Sequence, residues 1–426
     1  MFAFAPILAT LIAGQSAFGY SQSIGENIHI DDPVGQWQNY DFIERLLIGM
    51  GVRSVRSSLT ILPGPSNAYA SFMTKLAADG ITSDNIVGPN ITTTAQIQTL
   101  LSYAPGVISL EGPNEQDICC NDSAWIAHDQ ATTAAMAPIH GENPAMTIIA
   151  PSVASNDPAL LGNLAGEVQS GNMHPYRGSF IPESLGWGGV FYGQVYGSLA
   201  YNIAAAQRSA VGLPVISTEE SYTTGTVSES TQASYDERFT LWAYMHGILK
   251  QYLYDLLDDS ESFGVARLDG SLKPSAYGLQ GLFRILADSQ PASGMCSLDV
   301  SITTTVPYDA LLLCKSNGEQ DLVLWQPAQL QDPQTLASTP ATPAPVTVTA
   351  NTTGPAIVYL QSASYQWSNA VPTSSGNVSG RLTERPLIIA FHAASPVVIP
   401  PLPIMGTGLI HGHPIPPGRI HVSPGA

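Results

Sequence analysis

Leu110-Glu111-Gly112-Pro113-Asn114-Glu115 and Pro214-Val215-Ile216-Ser217-Thr218-Glu219 share one form: a short apolar run that leads to a glutamate. A buried barrel strand that delivers an acid to the barrel mouth has this pattern. Glu115 and Glu219 stand 104 residues apart, so separate strands must carry them toward one substrate. A pair of facing carboxylates is the equipment for cleaving a glycosidic bond.

Around these two stretches, strand-like and helix-like units alternate from about 22 to 285, the mark of an α/β fold. The candidate strands are Ser23–Ile30, Val52–Ser58, Asn85–Val87, Val107–Leu110, Thr147–Ala150, Gly171–Tyr176, Val215–Thr218 and Tyr252–Leu257. Helical spacing marks Asn39–Met50, Tyr69–Asp79, Thr94–Tyr103, Ser123–Ala137, Gly189–Ala210 and Ser230–Lys250. Eight strands in this rhythm predict a (β/α)8 TIM barrel over residues 20–288. A doubly wound sheet is the alternative, but no Gly-x-Gly-x-x-Gly follows the first strand. After Ser289 helical periodicity ends. The short apolar runs Ala310–Cys314, Leu322–Trp325, Val346–Ala350, Ala356–Leu360 and Pro386–Phe391 predict a small all-β sandwich over 289–395. Gln326–Pro345 reads as a loop within it, and 396–426 as a Pro-rich extended tail.

Acidic residues outnumber basic ones 33 to 15, and the formal charge is −18. That balance argues against nucleic acid or an anionic membrane as partner. It suits a neutral or cationic ligand. Residues 1–19 carry an apolar segment with Ala17 and Gly19 before Tyr20. It resembles a signal-peptide core without the basic start, which leaves two readings: an exported, secreted or periplasmic protein, or a buried N-terminal segment. No other stretch is apolar enough to span a bilayer. Cys296 and Cys314 flank two apparent strands and suit one disulfide. The neighbours Cys119 and Cys120 read equally well as free thiols, and no cysteine has a zinc spacing. His411 and His413 fall in the tail and read as idle. No metal or cofactor is implied, and the oligomeric state is not legible.

The order of motifs resembles clan A of the glycoside hydrolases, the retaining (β/α)8 enzymes, with family 39 and family 5-like members the nearest in pattern. In that clan an Asn-Glu pair ends the fourth strand, matched by Asn114-Glu115; a His-x-Tyr ends the sixth, matched by His174-Pro175-Tyr176; and a Glu ends the seventh, matched by Thr218-Glu219. An arginine near the end of the second strand is matched by Arg56, and Ser262–Pro274 resembles the stretch after the eighth strand. The resemblance implies that Glu115 is the acid/base and Glu219 the nucleophile of a β-glycosidase acting on a carbohydrate. A transglycosylase with the same pair, or a catalytically inactive carbohydrate-binding barrel, are the alternatives.

The chemistry of the residues agrees. The acid must hold a proton and the nucleophile must stay ionised. A negative Glu219 favours the proton on Glu115, while Arg56 and a hydrogen bond from Tyr176 favour charge on Glu219. Asn114 is placed to hold the sugar hydroxyl beside the reacting carbon, and His174 to order the network. Glu220 competes with Glu219, and Arg53 with Arg56; the threonine before Glu219 favours Glu219. His29 on the first strand is a further candidate for substrate contact, as are Tyr254, in place of the tryptophan usual on the eighth strand, and Trp187, as a stacking surface. Glu111 reads as a structural salt bridge, and Asp258, Asp259 and Glu261 as loop charges.

Overall fold

The computed structural model describes residues 10–30, 35–59, 68–119, 123–258, 261–352, 354–373, 376–393 and 395–403. Eight parallel strands share one sheet: Ile24–Asn27, Ser54–Leu59, Thr82–Val87, Val107–Glu111, Thr147–Ile149, Gly171–Met173, Val215–Glu220 and Gln251–Leu253. The eighth pairs with the first, and a bridge between Ile149 and Ser170 joins the fifth to the sixth. The sheet therefore closes into a (β/α)8 barrel, with each expected strand present.

Local chemistry sets the units. Asn39 caps Tyr40–Met50 by accepting from the Phe42 N–H, and Gly51 ends that helix at φ +87°. Its Ile43, Leu46, Leu47 and Met50 are fully buried against the barrel. Thr93 and Gln96 form a reciprocal capping box that opens Thr94–Leu101.

The sandwich has a four-stranded sheet and a six-stranded sheet. The six-stranded sheet is apolar on both faces. Leu322 and Leu324 pack into the sandwich core with Leu387 and Ile389. The alternate residues Val323, Trp325, Ile388 and Ala390 join the barrel's own core. Side chains alternate across a strand, so one sheet serves two cores. This explains why Leu322–Trp325 reads as a continuous apolar run. In contrast, Ala344–Ala350 alternates buried and exposed, with one face in water.

Residues 10–23 build into the sandwich and the barrel. Thr10–Ala13 pairs antiparallel with Ser297–Val300 in the four-stranded sheet, Gln15–Ser16 pairs with Leu313–Cys314, and Ala17–Ser23 is a helix. The apolar character of this segment serves the sandwich and barrel cores, where Ala17 and Tyr20 are buried. Gly189–Ala210 is not one helix. Val190–Phe191 and Gln194–Val195 form a hairpin turned by Tyr192 and Gly193, at φ +53° and +77°, and the helix covers only Leu199–Ala206. The tail's first residues are docked: Gln280 Nε2 donates to the Pro400 carbonyl at 2.7 Å, and Leu402 is buried.

Cys296 and Cys314 form the expected disulfide. Cys119 is also disulfide-bonded, against the free-thiol reading. Cys120, Asp259, His411 and His413 lie outside the described residues. Among the described residues, no helix is long and apolar enough to cross a membrane.

Candidate active site

The site forms where the second, fourth, sixth and seventh strands end. Arg56 is its centre and is 2% exposed. A guanidinium has five N–H donors, and each has an acceptor. Nε donates to Glu111 Oε2 at 2.6 Å, Nη1 to Asn27 Oδ1 at 2.8 Å and Glu219 Oε1 at 2.6 Å, and Nη2 to Glu111 Oε1 and Asn114 Oδ1, both at 2.7 Å. Burial works against the charge on Arg56, but Glu111 and Glu219 hold its pKa well above the ordinary value. Arg53, the rival, is exposed at the start of the second strand. Glu111 makes the structural ion pair expected of it and also accepts from Asn172 Nδ2 at 2.8 Å.

The chain after Glu111 turns tightly. A Cβ on Gly112 would overlap the Pro151 ring. Asn114 bridges to Ser152, and Glu115 sits in the left-handed region at φ +44°. The Glu115 N–H donates to the Ser152 carbonyl at 3.2 Å and to Ser152 Oγ at 3.1 Å. Ser152 Oγ in turn donates to Asn114 Oδ1 at 3.0 Å. Arg56 is a donor only, so the Asn114 atom beside it is the oxygen. The Asn114 amide nitrogen is thereby turned away from both partners.

His174 ties the two glutamates together. Its Nδ1 is hydrogen-bonded to Glu115 Oε1 at 2.7 Å and lies 3.5 Å from Glu219 Oε2, while Nε2 is 2.9 Å from Thr218 Oγ1. Thr218 donates onward to Asn172 Oδ1 at 2.7 Å. Burial disfavours the imidazolium, but Glu219 and Glu115 outweigh it and raise the His174 pKa. Tyr176 donates to Glu219 Oε2 at 2.7 Å. Burial alone would raise the Glu219 pKa; His174, Arg56 and the Tyr176 hydroxyl together hold it down at about 2. Its neighbour Glu220 faces the other side of the strand and is fully buried, and burial raises its pKa well above the carboxylate range.

One donor atom from each of Glu115, His174 and Glu219 lies within 4.8 Å of the others. A cation tolerates this spacing, yet these atoms already pair with one another, and Arg56 beside Glu219 repels a positive ion.

Tyr254 stands at the rim, 6.3 Å between ring centres from Tyr176, with Phe263 at 5.5 Å and His29 at 5.3 Å. His29 Nε2 lies 3.6 Å from Asp255. Trp187 is not brought to the glutamates by any described contact. It stacks on Phe180 at 4.2 Å and meets Tyr196 edge-on, in the aromatic cluster of the hairpin. Ser152, Asn172 and Phe263 are site residues that the sequence reading passed over. The only signal for Ser152 and Asn172 is a small polar residue at or near a strand end.

No protein-family model matches the chain, and no curated protein matches it. Solved structures share its fold. A family 39 glycoside hydrolase from the gut symbiont Bacteroides cellulosilyticus WH2 aligns at TM-score 0.60 and 16% identity, over 88% of this chain and 82% of that one. A monomeric beta-xylosidase from Caulobacter crescentus CB15 aligns at TM-score 0.56 and 14% identity, over 89% of this chain and 97% of that one. The likeness extends over barrel and sandwich together.

Proposed function

We propose that the chain is a retaining glycoside hydrolase that cleaves β-linked oligo- or polysaccharides. The observation that carries this reading is the pairing of Glu115 and Glu219, one oxygen of each lying within 4.8 Å of the other. Carboxyl groups of retaining pairs stand about 5–5.5 Å apart and those of inverting pairs about 6.5–9.5 Å, to admit a water, and so close an approach of the oxygens supports the retaining arrangement. The electrostatics support the same roles. Glu219, ionised down to about pH 2, attacks the anomeric carbon and forms a glycosyl-enzyme. Glu115 gives its proton to the departing oxygen, then takes one from the water that releases the sugar. The Asn114 amide N–H groups face the hydroxyl beside the reacting carbon, a contact that strengthens in the transition state. His174 and Tyr176 keep the two carboxylates in register. The Cys296–Cys314 disulfide supports an oxidising, secreted or periplasmic setting.

The test is chemical rescue. Glu219→Ala is expected to lose turnover, and azide to restore it as a glycosyl azide of inverted configuration. Glu115→Ala with azide is expected to give the retained configuration. Full activity in Glu219→Ala would remove the nucleophile from this position.

A further inference from the structure

We propose that the pocket takes an uncharged sugar, so that uronic acid and sulfated glycosides are rejected as the unit held against Glu219. This rests on the hydrolase reading above and names its substrate class. The chain holds 15 lysines and arginines, and those nearest the barrel mouth are committed to other groups. Arg56 uses all five N–H donors on Asn27, Glu111, Asn114 and Glu219. Lys273, 1% exposed, donates its three protons to Asp258, the Ser262 carbonyl and Thr224. Arg208, Arg238 and Arg267 pair with Asp157, Glu183 and Glu229. Arg177 follows Tyr176 in sequence, but its guanidinium lies over the Phe239 ring of helix Glu229–Met245 and donates from Nη1 to the Gly197 carbonyl, while Nε and Nη2 are buried there without a hydrogen-bond partner among the described residues. The remaining described cations sit on outer helices, at strand starts or in the sandwich. The barrel segments outside the described residues, 31–34, 60–67, 120–122 and 259–260, contain no lysine or arginine, and Arg419 lies outside them in the tail.

The imidazoles are engaged too. His174 lies between Glu115 and Thr218, and His29 lies toward Asp255. The buried cluster sets two cations, Arg56 and His174, against three carboxyl groups, Glu111, Glu115 and Glu219. A carboxylate or sulfate on the bound sugar would lose its water beside like charge, and no described contact brings an uncommitted cation to Glu219 to meet it. A hydroxyl meets no such penalty, and the Asn114 amide N–H groups are turned to receive one.

The experiment compares kcat/KM of the full chain on 4-nitrophenyl β-glucoside, β-xyloside, β-galactoside and β-glucuronide. Glucoside and glucuronide differ only at C6, which isolates the charge. The expected result is turnover of at least one neutral glycoside, with the glucuronide slower than the best of them by at least about a hundredfold. A glucuronide cleaved as fast as the best neutral glycoside overturns the inference and leaves the Glu115/Glu219 mechanism standing. No turnover on these glycosides or on β-linked oligosaccharides removes the hydrolase reading, and the inference falls with it.

Discussion

At the scale of single residues, the site is a chain of shared hydrogens around Arg56 and His174. After burial, His174 is the first influence on the Glu219 pKa, ahead of Arg56. His174→Gln removes that cation, so the Glu219 pKa must rise. A carboxylate nucleophile works ionised, so with Glu219 in the proposed role kcat/KM falls as pH drops through its pKa. The expected outcome is an acid limb displaced to higher pH in a pH–rate profile, by about one unit or more for a buried charge partner; an unmoved limb would mean that His174 does not face Glu219. Ser152→Ala leaves Asn114 Oδ1 with Arg56 alone and frees the amide to turn. A loss of about tenfold in kcat/KM is expected on a full sugar, and little loss on its 2-deoxy analogue, which lacks the hydroxyl Asn114 would hold. The glutamates, Asn114, Arg56, His174 and Tyr176, which the structure brings together, were legible because each lies within or just after a strand, in a fixed order. Glu219 was preferred to Glu220 for the threonine before it; in the structure Glu219 meets Arg56 and Tyr176, while Glu220 is buried beside Arg177 and Asp236. Ser152 and Asn172 were not legible, since a lone serine or asparagine has no pattern until the barrel closes.

At the scale of elements, the segment before the barrel is the most instructive. Thr10–Ala13 lies in a sheet beside Ser297–Val300, and its apolar composition suits that place. Gly14 marks the closest approach, since a Cβ there would meet both Sγ atoms of the Cys296–Cys314 disulfide. Cys296→Ser is expected to lower unfolding free energy by roughly 2–5 kcal/mol, read by denaturant titration under non-reducing conditions. Gly14→Val should lower it too, by displacing the strand. The hairpin at 190–195 was not legible in the sequence. Small and apolar residues there mimic a helix, while left-handed backbone at Tyr192, Gly193 and Gly197 forbids one.

At the scale of the whole molecule, the sandwich is part of the barrel's support. Glu183, on the loop after the sixth strand, accepts from Arg238 of the barrel and from Trp325 Nε1 of the sandwich at 2.7 Å. Gln329 and Gln331 of the sandwich loop donate to Ser179 and Thr226 beside the site-bearing loops. The interior is rich in neutralised acids. Burial pushes Asp84 up to about 8, and Glu26, Glu220 and Asp236 well above the carboxylate range. A carboxyl raised in the folded state gives stability that is full below its unfolded pKa of about 4. That stability is lost as pH rises through the folded value. Glu219, lowered to about 2, acts oppositely and loses its contribution only as pH falls below about 4. The melting temperature is therefore expected to be highest in mildly acidic buffer and to fall steadily from pH 5 to pH 8. A rise over that range would contradict the buried-acid account.

The central claim is that Glu219 becomes covalently bound to the sugar. The most direct test is trapping with a 2-deoxy-2-fluoro β-glycoside of a sugar that the protein turns over, followed by intact-mass and peptide analysis. The account predicts one fluorosugar per chain, located on Glu219, with loss of activity matching its incorporation. A label on Glu220, or an unlabelled chain whose hydrolysis product has inverted configuration, would contradict it.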